Sequence, residues 1–239
     1  MRRRGSSSNP QGVDVFVPPR DYTVEARRRL PAATKRIGPL IERLALEHPD
    51  AKIALSFSGD VELLVAVMLS AQTTDLNVNR VTERLFRKYR RPEDYLAVPA
   101  EELERDIFAT GFYRQKARSI RGAMRALVEE HRGRVPRSVA ELVRLPGVGR
   151  KTANVVCAEL GEAQGIVVDT HVRRLAQRLA LTREQDPVKI ERDLMRIVPR
   201  ADWRLFPHLL IWHGRRVCDA RRPACERCVL ADLCPSSRA

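Results

Sequence analysis

The chain has 239 residues, 44% apolar and 31% charged, a composition that suits a globular protein with a sizeable core and excludes a disordered or fibrous one. Lys and Arg number 44 against 30 Asp and Glu, for a net charge of +14, which points to a polyanionic partner, nucleic acid ahead of an anionic membrane. No apolar run approaches the roughly 18 residues of a membrane span, and the basic, serine-rich start leads into no apolar segment, so neither a membrane partner nor a secretory signal is expected.

Residues 1–21 read as a flexible basic tail. Beyond Tyr22 the pattern is helical. Ile37, Leu40, Ile41 and Leu44 make an apolar stripe that ends before His48-Pro49. Asp60 is the expected N-cap of a helix through Leu63, Leu64, Val67 and Met68, and Asp75 of one carrying Val78, Val81 and Leu85. Pro99 and Glu101 open a helix closed at Gly111, and Ala117 to Val128 mark the next, ending near Gly133. Ser138 and Glu141 have capping-box spacing, and Lys151 to Leu160 follows as a helix. Ile166-Val167-Val168 is the one β-like run and is too short to found a sheet. Asp169 or Thr170 caps Val172 to Leu181, and two more helices follow Pro187 and Asp202. The expected fold class is all-α, with short connections.

Three groups of residues carry chemistry. The first is Leu145-Pro146-Gly147-Val148-Gly149-Arg150-Lys151-Thr152-Ala153, between two helices. Gly147 and Gly149 around one small apolar residue allow a tight turn with outward N–H groups, and the helix that follows adds its positive end, so the turn is built to take a phosphate. Lys151 falls in the first turn of that helix, where the positive helix end disfavours an ammonium; an amine nucleophile needs its unprotonated form. Read alone, Lys151 is more readily a phosphate contact. The second group is Val167-Val168-Asp169-Thr170-His171, whose aspartate can cap a helix and also serve as the acidic partner of Lys151.

The third is Cys218-x6-Cys225-x2-Cys228-x5-Cys234, a set of four thiolates. A disulfide framework would suit a small secreted domain; clustered thiols here read as a metal centre. On spacing alone zinc and iron–sulfur fit equally. The fifth cysteine, Cys157, lies in an apolar run and reads as core.

With Leu69-Ser70-Ala71-Gln72-Thr73-Thr74-Asp75 and His213-Gly214-Arg215 added to these motifs, the chain from about Arg36 to Pro235 resembles the endonuclease III family of helix-hairpin-helix DNA glycosylase/AP lyases. The resemblance implies two helical lobes with DNA in the cleft between them. Residues 53–163 would form a six-helix barrel with the helix-hairpin-helix, and residues 22–52 with 164–239 an iron–sulfur cluster lobe. It implies a [4Fe-4S] cluster on Cys218, Cys225, Cys228 and Cys234, Lys151 as Schiff-base nucleophile and Asp169 as catalytic carboxylate. Gln72 would fill the hole left by the extruded base. Phe112 stands at a wedge position where the family commonly has an aliphatic residue. Gly147, Gly149, Arg150, His171, Arg221 and Arg222 are the other expected DNA contacts. The implied partner is double-stranded DNA with damaged pyrimidines or abasic sites, met by a monomer in a bacterial cytoplasm. Two alternatives stand beside this reading. A monofunctional relative lacks the hairpin lysine that Lys151 supplies. A non-enzymatic DNA-binding module would not need Lys151 and Asp169 together.

Overall fold

The computed structural model describes residues 20–239, so most of the expected tail lies outside the described residues. Every regular element among them is helical: α1 (Ala33–Glu47), α2 (Asp60–Leu69), α3 (Asp75–Lys88), α4 (Pro92–Ala97), α5 (Ala100–Asp106), α6 (Tyr113–His131), α7 (Val139–Leu142), α8 (Arg150–Glu159), α9 (Thr170–Arg178), α10 (Pro187–Ile197) and α11 (Leu205–Arg216). The all-α expectation holds. None of these helices is long and apolar enough to cross a membrane.

The buried apolar side chains fall into two clusters. One runs from Leu55 to Cys157 and is centred on α2, whose residues Leu63 to Leu69 are all buried. Such a helix, apolar all round, can only sit inside a shell of others, and α3, α6 and α8 pack on it. The second cluster joins Ile37, Leu40 and Leu44 of α1 to residues between Ile166 and Leu230. Buried Arg36 fastens that junction, donating to the carbonyls of Pro31, Leu179 and Leu233 at 2.8–2.9 Å. Lost side-chain hydration is thus replaced by three charge-assisted bonds.

Several local expectations shift. Gly59, not Asp60, is the N-cap of α2; Asp60 sits in the first turn, where its charge suits the helix dipole, and pairs with Arg137 at 2.7 Å. Thr74 rather than Asp75 caps α3, its Oγ1 accepting from Asn77 N. Asp169 is the cap of α9, as one of the two alternatives had it, and the helix ends at Arg178 rather than Leu181. Ile166, Val167 and Val168 form no strand; they are buried extended chain threading into the second core. Helix α4 was not anticipated, because its six residues are too short for apolar periodicity to show. Its start is fixed by Asp94, which accepts from the N–H groups of Arg90 and Arg91.

Candidate active site

The hairpin between α7 and α8 is anchored from below. Leu145 and Val148 are buried, and Val148 N donates to Leu145 O at 3.0 Å to close the turn. Gly147 has φ +77°, and a Cβ there would stand 2.4 Å from Ser119 Cβ and 2.6 Å from Ser119 Oγ. Gly149 is different: it has ordinary extended backbone as N-cap of α8, and a Cβ would meet nothing within 4 Å. Among the described residues no side chain caps α8. Its first N–H groups are therefore open to an anion, in the half-turn where the helix dipole adds positive potential.

Lys151 stands exposed one residue into α8, and its Nζ makes no hydrogen bond or ion pair among the described residues. It lines a cleft together with Asp169. Asp169 is held in place by its capping role, Oδ1 accepting from Val172 N at 2.7 Å, which leaves its second oxygen for other work. The sequence motifs thus converge on one cleft from two elements, α8 and the turn before α9.

The other expected contacts are distributed around it. Arg150 is bound in bidentate fashion to Glu191 of α10, at 2.7 and 3.0 Å, so it ties the hairpin to the second core and leaves about half its side chain exposed. His171 is half-buried outside the cleft lining, its Nδ1 3.1 Å from Arg174 and packed over Gly214. Burial pushes its imidazole below the ordinary value, against the pull of Asp169 beside it. Arg221 and Arg222 project from a turn in which Asp219 Oδ1 accepts both of their backbone N–H groups. Gln72 and Phe112 are exposed, and both have left-handed backbone, φ 56° and 48°. Positive φ at non-glycine residues costs about 1–2 kcal/mol each, a strain these loop tips keep.

That strain is supported by a brace the sequence did not disclose. Lys116 Nζ, buried on α6, donates to Leu69 O and to Thr110 O, both at 2.8 Å. Asn77 Nδ2 donates to Thr73 Oγ1 at 3.1 Å and to Ala109 O at 2.7 Å. Each side chain spans from the Gln72 loop to the Phe112 loop. Burial pushes the Lys116 ammonium below the usual lysine range. The cleft wall also contains Asp75 and Arg215, joined at 2.6 Å between α3 and α11. Both residues lie in the recognisable Gln72–Asp75 and His213–Arg215 stretches, but nothing in either stretch announces their pairing.

Cys218, Cys225, Cys228 and Cys234 line a second cavity, beyond the end of α11. Among the described residues no three His, Cys, Asp or Glu side chains are grouped to hold a single metal ion. Four thiols lining one cavity are a donor set that an iron–sulfur cluster takes. Two hydrogen bonds reach the sulfurs: Arg178 Nη1 donates to Cys218 Sγ at 3.3 Å, and His213 Nε2 lies 3.3 Å from Cys228 Sγ. Burial holds His213 down to about 4, so the ring is neutral and its Nε2–H can face the sulfur while Nδ1 accepts from His48 at 3.1 Å. Burial also pushes the Cys228 thiol up to about 11 and the Cys234 thiol up to about 12. Thiols so placed lose their protons readily only to a strongly positive partner, as cluster iron is. The donor set fits the group.

Comparison with known proteins agrees with this geometry. Residues 65–200, which carry the hairpin, Lys151 and Asp169 together, match the family model of the HhH-GPD superfamily base excision DNA repair proteins. The class is therefore that of a helix-hairpin-helix DNA repair protein. Residues 218–234, first cysteine to last, match the iron-sulfur binding domain of endonuclease III. The endonuclease III of Synechocystis sp. is 47% identical over 89% of this chain and 97% of its own length; that of Bacillus subtilis is 49% identical over 84% and 92%. A solved structure of a trapped endonuclease III–DNA covalent intermediate superposes with a TM-score of 0.82, at 45% identity, covering 86% of this chain and 97% of that one. The chain belongs to the endonuclease III family. It is a base-excision-repair DNA glycosylase/AP lyase and carries a [4Fe-4S] cluster.

Proposed function

We propose that the protein removes oxidised pyrimidines from duplex DNA and cuts the strand at the abasic site, acting as a monomer in the cytoplasm. The observation that carries this is the unpartnered Lys151 amine sharing a cleft with Asp169 at the open N-terminus of α8. Duplex DNA lies between a barrel lobe (residues 53–163) and a cluster lobe (residues 22–52 and 164–239). Phosphates rest on the N–H groups around Gly147 and Gly149 and on Arg221 and Arg222. Arg150, held by Glu191, offers the exposed part of its guanidinium, and His171 stands at the rim beside Asp169. The lesion is extruded at a cost of a few kcal/mol. Gln72 and Phe112, on their braced loops, fill the hole that it leaves.

Neutral Lys151 Nζ then bonds to C1′ as the glycosidic bond breaks, its electron pair leaving with the base, which takes up a proton. Ring opening gives an imine between C1′ and Nζ. The imine acidifies C2′–H; loss of that proton sends electrons into the C2′–C3′ bond and expels the 3′ phosphate oxygen. Asp169 stabilises the positive charge that develops at C1′ and nitrogen and moves protons, through the carboxylate oxygen not used in capping. Cys218, Cys225, Cys228 and Cys234 ligate the cluster, which when bound cross-links the loop that presents Arg221 and Arg222.

Borohydride reduces the imine, so wild-type protein with damaged duplex and reductant should become attached to DNA. Lys151→Gln should bind DNA and form no adduct, and Asp169→Asn should bind and lose about 10²–10⁴-fold in rate. An undiminished adduct with Lys151→Gln would shift the assignment to Lys52, which also lines the cleft. Lys116 and Lys88 are occupied, by two carbonyls and by two carboxylates.

A further inference from the structure

Residues 20–31 precede α1 and are fastened to the far end of the chain. Asp21 starts a single helical turn, Tyr22–Glu25, by accepting from Thr23 N at 2.9 Å. Beyond that turn the backbone N–H groups of Arg27 and Arg28 both donate to Pro235 O, at 2.7 and 3.0 Å. Two donors on one carbonyl use both of its lone pairs. The Arg28 guanidinium adds bonds to the carbonyls of Ala231 and Ala239.

Ahead of those ties the segment reaches the cysteine cavity. Glu25 lines it together with the four cysteines. Glu25 Oε2 lies 3.2 Å from Arg178 Nε, and the Tyr22 ring covers the face of the same guanidinium, its centroid 4.7 Å from Cζ. Arg178 in turn donates to Cys218 Sγ at 3.3 Å, to Asp219 O at 2.7 Å and to Ala220 O at 2.9 Å. Its side chain is left only 3% exposed. A guanidinium taken out of water needs a counter-charge and filled donors, and among the described residues Glu25 is the carboxylate paired with it. Tyr22 is buried as well, whereas Val24 of the same turn is 77% exposed. The turn therefore faces the cavity with one side, and that side is the one that grips Arg178.

We propose that residues 20–31 are a strap across the cluster site, latched by Tyr22 and Glu25 onto Arg178, and that chelators and oxidants reach the cluster by local opening of this strap rather than by unfolding of the helices around it. The proposal rests on Cys218, Cys225, Cys228 and Cys234 holding the cluster, as proposed above. Arg178 is the link between the two: one face of it carries the strap and one N–H carries a bond to a cluster cysteine. Lifting the strap exposes both the guanidinium and the cavity, so the latch opposes its own opening with a buried ion pair and a cation–π contact. The lifetime of the cluster is thereby set apart from the stability of the fold.

The test uses full-length, cluster-loaded protein mixed with an iron chelator of the phenanthroline class, with iron transfer followed by the colour of the chelate. Where opening is rare and reversible, the transfer rate follows the open population. Tyr22→Ala combined with Glu25→Ala should speed transfer at least about tenfold, the shift that one hydrogen bond to a charged group is worth. A chain without residues 2–26 should be at least as fast, and Val24→Ala should match wild type. Hydrogen exchange separates a strap from a general loss of stability. In the double variant the amides of Arg27 and Arg28 should lose protection while those of α9 and α11 keep theirs. Transfer at the wild-type rate from either altered chain would overturn the strap. Faster transfer with an equal loss of protection in α9 and α11 would overturn it too, because the segment would then support the fold instead of covering the cluster. A wild type that carries no iron would overturn the cluster ligation on which the proposal rests.

Discussion

Gly147 and Gly149 are two residues apart in one turn, yet alanine at each should do opposite things. At Gly147 the backbone is left-handed, which costs alanine about 1–2 kcal/mol. The new methyl group would also lie 2.4 Å from Ser119 Cβ and 3.3 Å from Met68 Cε, and forcing such overpacking costs about 1–3 kcal/mol. Together Gly147→Ala should destabilise by roughly 2–5 kcal/mol, lowering Tm by roughly 4–20 °C at this chain length. At Gly149 the methyl meets nothing. Alanine is a poorer N-cap than glycine, but it also restricts the unfolded chain, and the two effects offset to within about 1 kcal/mol. In the proposed function that open space admits a phosphate to the N–H groups of α8, so Gly149→Ala should bind DNA at least about tenfold more weakly, the worth of one charge-assisted hydrogen bond. Thermal unfolding of both variants, with fluorescence anisotropy on an abasic-analogue duplex, separates the effects. A Gly149→Ala protein that melts as low as Gly147→Ala, or that binds DNA like wild type, would refute the assignment of that space to phosphate.

Replacing Arg221 and Arg222 together with alanine should lower the slope of log K against log salt by about 2, one unit per phosphate, leaving borohydride trapping at low salt intact; an unchanged slope in a binding titration would remove them from the interface. Purified protein should contain iron and absorb broadly in the visible, and Cys228→Ala should lose that absorption and unfold at lower temperature; a colourless protein with stoichiometric zinc would contradict the cluster. Lys116→Met leaves the carbonyls of Leu69 and Thr110 unsatisfied, at about 1–3 kcal/mol per buried group. It should slow base removal from duplex more than cleavage of a preformed abasic site, which needs no base extrusion; equal losses in gel assays on the two substrates would show that the brace serves stability alone.

Local signals made much of the molecule legible. Glycines around a small apolar residue mark the hairpin, an aspartate after an apolar run marks a helix cap, and four spaced cysteines mark a metal centre, each within a few residues; the role of Lys151 and the choice of iron–sulfur over zinc came with the family resemblance. What stayed hidden is what depends on contact across the chain. Arg150 reads only as a DNA contact, and its second tie, to Glu191 41 positions away, shows only in the fold. Nothing near Lys116 in the sequence marks it as a brace; the Leu69 and Thr110 carbonyls that it joins come from other elements. Helix ends moved by a residue or two, as competing caps such as Thr74 and Asp75 allow.

The second core closes on itself from both ends of the described chain, and this sets an order of events during synthesis. Helix α1 emerges early with Ile37, Leu40 and Leu44 facing nothing, because their partners begin at Ile166, roughly 120 residues later. At 5–20 residues per second that is a delay of about 6–24 s. The first core, contiguous from Leu55 to Cys157, can form meanwhile. The hairpin and its lysine therefore exist before any cysteine of the cluster has been made. The cluster is therefore assembled on a chain whose first core can already be folded, and α1 has to stay free of other apolar surfaces until Leu230 arrives to cover it.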